Sequence, residues 1–178
     1  MRSSTFLALA CAGALAACVP KTAPVTATSS SDATPLARDA YVGAAAAGDL
    51  FETQSAALAQ QRAQSPAVRD FAQMMIADHA ATTRRLTAAA QSVAISPLAP
   101  ALLPMQARMM DQLRAAPAGA FDRVYVDQQV QAHEAALALH ASYAANGDTP
   151  QLRTVAAAAV PVVQTHLDRL RQLAAAGG

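Results

Sequence analysis

Apolar residues recur at three- and four-residue steps along four long stretches of this chain. The clearest is Ser65–Leu86, where Val68, Phe71, Ala72, Met75, His79, Thr82 and Leu86 fall on one line. That period marks a helix burying one face. Ser65 and Pro66 read as its start, a side-chain cap followed by a residue whose missing N–H costs nothing in the first turn. The helix is expected over about Pro66–Ser92. Before it, about Arg38–Arg62 carries Tyr41, Ala44, Gly48, Phe51, Ser55 and Leu58 on one stripe, with Glu52 beside it. A third stretch, about Ala118–Ala145, places Phe121, Tyr125, Ala132, Ala136 and Tyr143 on one line and Val126, Val130, His133 and Leu137 on the next. Asn146-Gly147 reads as a left-handed stop. Thr149-Pro150 then repeats the cap-and-proline start. The fourth stretch runs to about Ala175 on Val155, Ala159, Val162, His166, Leu170 and Leu173. Pro161 inside it predicts a kink, because one backbone hydrogen bond is lost there.

Helices of about 25 residues are about 38 Å long at 1.5 Å per residue. The turns at Ala63-Gln64 and Asn146-Gly147 are tight and predict antiparallel hairpins. Between the hairpins lie a proline-broken segment, Ile95–Pro104, and a short amphipathic helix with Met105, Met109 and Leu113 on one side. Pro117 and Gly119 close it. A connection of that length fits the single crossover of a ferritin-like four-helix bundle better than an up-down-up-down one. The fold class is therefore all-α, a ferritin-like four-helix bundle with a long connection between its second and third helices, occupying residues 38–178. The methionines raise copper as a thought, but Met at i, i+4 is the usual filling of an irregular core gap.

Composition adds little to that and removes some functions. Twelve of the thirteen basic residues are Arg, and formal net charge is +1. No basic cluster with interleaved aromatics is present, which argues against nucleic acid as a partner. Met1–Cys18 has the order of an export signal: Arg2, an apolar run from Phe6 to Leu15, then small residues. The run is too short to span a bilayer. Leu15-Ala16-Ala17-Cys18 resembles the lipobox of bacterial lipoproteins, in which the Cys becomes the acylated first residue. On that reading residues 1–17 are a signal peptide, Cys18 is the lipidation site, and the membrane is a partner through the lipid. The alternative is an ordinary signal peptide cut near Ala17. Val19 after the Cys follows the sorting pattern for the outer membrane, so the expected place is the cell envelope, anchored to the outer membrane and facing the periplasm. Residues 18–37 are then the anchor and a flexible Ser/Thr/Pro/Ala-rich tether. Protein partners are not legible.

The informative polar residues are those on buried stripes. Glu52 and His79 each lie about 13 residues from the first turn, and His133 and His166 about 15 and 18 from the second, an axial offset of only about 5 Å. Glu52, His79, His133 and His166 are thus expected in one mid-bundle layer. His140 is expected near a helix end, at the surface. Asp78 either reaches the layer or is solvated. Three His and one Glu around a bundle axis suit one divalent ion such as zinc. The plainer reading has no cofactor: core histidines satisfied by one another and by Glu52, fixing helix register. A carboxylate-bridged iron pair needs Glu on two helices and Glu-x-x-His on two more. This chain has two Glu in all, Glu52 and Glu134, and Ile76, Val130 and Val163 stand three residues before the three histidines. No nucleophile–base pair is evident, so no catalytic residue is assigned.

The segments Ala63–His79, Ala120–His133 and Val160–Leu167 carry "F-A-x-x-M-x-x-D-H", "F-D-R-x-Y" and "P-x-x-x-x-H-L" in that order. They resemble the bacterial family of domain of unknown function 4142, over about Asp39–Leu173. The resemblance implies a ferritin-like bundle and, through the label "predicted outer membrane protein", an envelope location. It implies no activity, and nothing here alternates as a β-barrel strand would. Two functions stand side by side: a non-catalytic envelope lipoprotein serving a structural, stress-related or interaction role, and a periplasmic metal-binding protein using the His/Glu layer.

Overall fold

The computed structural model describes residues 37–96 and 99–177, and all regular structure there is helical. The export-signal and lipidation readings, Cys18 included, and the Val19–Pro35 tether lie outside the described residues. Four long helices, α1 (Arg38–Arg62), α2 (Pro66–Ser92), α4 (Ala118–Asn146) and α5 (Pro150–Ala175), pack as a bundle, and a short α3 (Pro104–Ala115) lies on the connection. α1 packs on α2 and α4, and α5 packs on the same two, while α3 rests against α1 and α4. Two apolar clusters fix the directions. Tyr41, Leu86, Ala90, Tyr143 and Leu152 gather at one end of the bundle, and Ala59, Val68, Phe71, Phe121, Tyr125 and Leu170 at the other. α2 therefore ends at the first end and α4 begins at the second, so the segment between them travels the length of the bundle. Every packed pair of long helices is antiparallel.

Local details differ from the sequence reading in instructive ways. Ser65 makes no side-chain cap. Asp122 of α4 does that work instead, its carboxylate accepting from the backbone N–H of Gln64 at 3.0 Å and of Ser65 at 2.7 Å. A carboxylate at a helix N-terminus satisfies free donors and complements the dipole. Thr149 likewise makes no cap of its own; its hydroxyl donates to Asp148 at 2.9 Å. Gly147 is not left-handed but extended, at φ −63° and ψ 148°. It is glycine because a Cβ there would lie 2.5 Å from the Tyr143 ring and 2.6 Å from the Tyr143 carbonyl. The close approach requires Gly, not the dihedral. Helix α5 contains Pro161 within its span, as the sequence indicated, and that residue is exposed. On α3 it is Met109, Met110 and Leu113 that are buried, whereas Met105 is 61% exposed. Arg62 ties the far end of this connection to α1: its guanidinium donates to the Leu113, Arg114 and Ala116 carbonyls and lies over the Phe121 ring at 4.7 Å. On α1 the buried face is shifted, with Val42, Ala45 and Ala56 inside and Ala44, Gly48 and Leu58 half-buried.

Candidate metal centre

The bundle's middle is polar. Glu52, His79, His133 and His166, one from each long helix, are all buried and meet there. Their ring nitrogens make a run of close polar contacts from one acidic side chain to another. His79 Nδ1 lies 2.8 Å from Asp49 Oδ1 and 3.1 Å from Glu52 Oε2. His133 Nδ1 lies 2.8 Å from the Gln129 carbonyl and 3.5 Å from Glu52 Oε1. His166 Nε2 lies 2.9 Å from Asp78 Oδ2. Across the middle, His133 Nε2 faces His166 Nδ1 at 3.3 Å.

These contacts decide where the ring protons sit. A carbonyl or carboxylate only accepts, so the facing ring nitrogen must carry hydrogen. His133 Nδ1, His166 Nε2 and His79 Nδ1 are therefore N–H donors. Burial drives the His133 pKa down to about 3, against the Gln129 bond that opposes it, and lowers His166 too, with Asp78 opposing. Both rings are neutral near pH 7. Their remaining nitrogens, His133 Nε2 and His166 Nδ1, are then bare lone pairs pointing at each other at 3.3 Å. A hydrogen bond between them would need a proton that neither ring has. His79 Nε2 is also buried and has no hydrogen-bond partner. One ring nitrogen from each of the three histidines lies within 4.8 Å of the other two.

The carboxylate side has the opposite electrostatics. Burial opposes charge on His79, but Glu52 and Asp49 against the ring outweigh it, and its pKa rises to about 9. Burial pushes Glu52 up to about 7, with His79 pulling it back and Asp49 adding to the rise. Asp49 is itself anchored from α2, accepting from Thr82 Oγ1 at 3.1 Å and Thr83 Oγ1 at 2.7 Å. Asp49, Glu52 and His79 form a second group whose ligand atoms converge within 4.8 Å. These three also line a cavity of about 480 Å³, walled mostly by apolar side chains such as Ala45, Ala132, Leu139 and Val163.

The sequence reading missed Asp49. Its only signal was its place three residues before Glu52, on the same face of α1. Asp78 reaches the layer through His166 with its own side chain 43% exposed. His140 is not a surface residue. It is half-buried, its Nδ1 lies within hydrogen-bond distance of the Tyr41 hydroxyl at 3.1 Å, and burial lowers its pKa. Below the layer on α4, the Gln129 side chain donates to Ser55 at 2.9 Å, while its Oε1 and the Tyr125 hydroxyl are buried without partners.

The family model for the domain of unknown function DUF4142 matches residues 23–173. The chain belongs to this family. No functionally curated protein matches this DUF4142 sequence. Among solved structures the fold is similar to CopM in the Cu(II)-bound form, with a TM-score of 0.65 and 16% identity, over 78% of this chain and 95% of that one. It is similar also to CopM in the Cu(I)-bound form, with a TM-score of 0.64 and 16% identity over 76% and 93%. The apo form gives 0.64 and 17% over 77% and 95%. At that identity the likeness establishes the all-helical fold of this DUF4142 protein.

Proposed function

We propose that this chain is a cell-envelope metal-binding protein that holds one transition-metal ion between His79, His133 and His166. The observation that carries the reading is the pair of unprotonated nitrogens, His133 Nε2 and His166 Nδ1, facing each other across 3.3 Å with His79 Nε2 unpartnered nearby. An ion shared by the three rings removes the lone-pair conflict and the orphaned atom together. The other nitrogen of each ring already donates to a carboxylate or carbonyl, which is the arrangement that orients metal-ligating histidines and raises their basicity. Neutral imidazoles suit copper, zinc and nickel, and His79, raised to about 9, gives up its Nε2 proton to solvent on binding. The solved CopM forms carrying Cu(II), Cu(I) and Ag support trying copper first. Glu52 is a buried carboxylate beside two of the rings, 3.1 Å from His79 Nδ1 and 3.5 Å from His133 Nδ1, rather than the ion's main ligand. No described helix is long and apolar enough to cross a membrane. An envelope location rests on the lipobox-like Leu15–Cys18 and on the family resemblance, with Cys18 as the acylated anchor to the outer membrane. The test is elemental analysis of protein purified from the envelope fraction, followed by Cu(II) titration of wild type and of His166→Gln. A tightly held ion that is lost in the variant supports the reading. Metal-free protein that takes up no ion sinks it.

A structural reading is favoured by one observation: each ring already has a partner on one nitrogen, from Gln129, Asp78 or Asp49. In that case the layer fixes helix register in a non-catalytic structural or interaction module, and the melting temperature is indifferent to chelator.

A further inference from the structure

We infer that the layer holds a second cation, bound by Asp49, Glu52 and His79 on the cavity side, with His79 as a ligand shared between the two positions. The inference rests on the tri-histidine reading above, because His79 can only bridge if its far nitrogen is engaged there. Two observations carry it. First, the two convergent groups, His79–His133–His166 and Asp49–Glu52–His79, have a single residue in common. An imidazole presents its nitrogens on opposite edges of the ring, so one side chain serves both without moving. Second, two buried carboxylates converge on a single ring nitrogen, Asp49 at 2.8 Å and Glu52 at 3.1 Å. Among the described residues neither has a Lys or Arg ion-pair partner; His79 and His133 are the bases in contact with them, and His140 lies farther off on the Asp49 side. Two carboxylates share one ring N–H, so they cannot both be fully partnered there, and a buried carboxylate is tolerated when it is paired or coordinates a metal.

The donor sets differ in kind. Three imidazoles favour Cu(II) or Zn(II), while two carboxylates and one imidazole make a harder site that accepts Zn(II), Mn(II) or Fe(II) as well. Their access differs too. Asp49, Glu52 and His79 line the 480 Å³ cavity, whereas His133 and His166 do not. Water or a small anion from that cavity completes the coordination of the second ion. Binding it forms a bond from His79 Nδ1 to the metal and breaks the Nδ1–H bond, the proton leaving to solvent; His79 becomes a bridging imidazolate. Thr82 and Thr83 hold Asp49 for this from the neighbouring helix.

Cu(II) titration with electron paramagnetic resonance tests the inference through its pattern of losses. Wild type is expected to take two ions per chain whose spins couple through the shared ring. Asp49→Asn is expected to keep one uncoupled ion, His166→Gln to keep one, and His79→Gln to lose both. Circular dichroism establishes that each variant is folded, and Glu52→Gln replaces Asp49→Asn if the latter is not. A single ion in wild type, insensitive to Asp49→Asn and lost in His166→Gln, overturns the second position and leaves the proposed function intact. Two uncoupled ions, only one of them lost in His79→Gln, overturn the shared ligand. A wild-type chain that binds no Cu(II) overturns both readings.

Discussion

His133 shows most sharply what burial does to a side chain in this layer. It is fully enclosed, donates from Nδ1 to the Gln129 carbonyl one turn back, and stays neutral because its surroundings cannot solvate a charge. His133→Ala removes that donor and opens a gap beside His166. Its expected cost is about 1–3 kcal/mol for the group left unpaired, plus the packing loss, measured by urea denaturation. His140→Ala loses only the Tyr41 hydroxyl contact at a half-buried site, so a smaller cost is expected. The pH profile of the metal-free protein follows from the same groups. His133 and His166 have folded pKa values below the ordinary 6.5, so their contribution is present above 6.5 and drains away as pH falls, toward about 3 for His133. His79 is raised to about 9; its contribution is complete below 6.5 and is lost as pH rises through 9. Glu52, raised to about 7, loses its share between 4.5 and 7 as pH rises, which blunts the acid limb without reversing it. Stability is expected to peak near neutrality, and His133→Gln to flatten the acid side. Chemical denaturation across pH 4–9 reads both, and an acid limb unchanged in the variant refutes the assignment.

At the scale of the helices, the two ends of α4 show why some features were legible and others were not. Helix bounds were readable because proline and periodicity act within a few residues: Pro66 and Pro150 sit at the first positions of α2 and α5. Caps were not, because the group that satisfies the α2 N-terminus is Asp122, fifty-seven residues from Ser65. Asp49 was missed for the same kind of reason. An acid near Glu52 on an alanine-rich helix reads as a solvated face until Thr82 and Thr83 are known to lie across from it. Gly147 was identified as a helix stop, but for the wrong cause. The distinction is testable. Gly147→Ala is expected to destabilise by about 1–3 kcal/mol, as overpacking does, since Tyr143 backbone and ring must yield. Gly43→Ala, in the interior of α1 with open space where a Cβ would go, is expected to stabilise by roughly 0.5–1 kcal/mol. Leu86→Ala, in the cluster of Tyr41, Tyr143 and Leu152, is expected to cost about 2–5 kcal/mol. Thermal melts of the three variants order them; a Gly147→Ala protein as stable as wild type removes the close-approach argument.

For the whole molecule, the layer joins four helices that otherwise meet in two apolar clusters at opposite ends. His79, His133 and His166 come from α2, α4 and α5, and the carboxylates facing them from α1 (Asp49, Glu52) and α2 (Asp78). An ion held there is a cross-link between both hairpins, formed only in the folded chain because the unfolded chain scatters its ligands from His79 to His166. Such an ion stabilises by mass action. At a free concentration one hundred times Kd the gain is about 2.7 kcal/mol. For a domain of this size that raises the melting temperature by roughly 8–10 °C. Wild type is therefore expected to melt that much lower after chelation and to recover when Cu(II) is restored. His79→Gln is expected to melt at one temperature under both conditions, because the glutamine occupies the space without supplying the nitrogen. Differential scanning calorimetry in matched buffers, with metal content measured on the same samples, separates this from a general salt effect. A wild-type melt that ignores the chelator while carrying no ion leaves the three histidines as a register-fixing layer. The facing nitrogens of His133 and His166 then stay unprotonated, held so by burial, and their resonances would report two neutral rings at neutral pH.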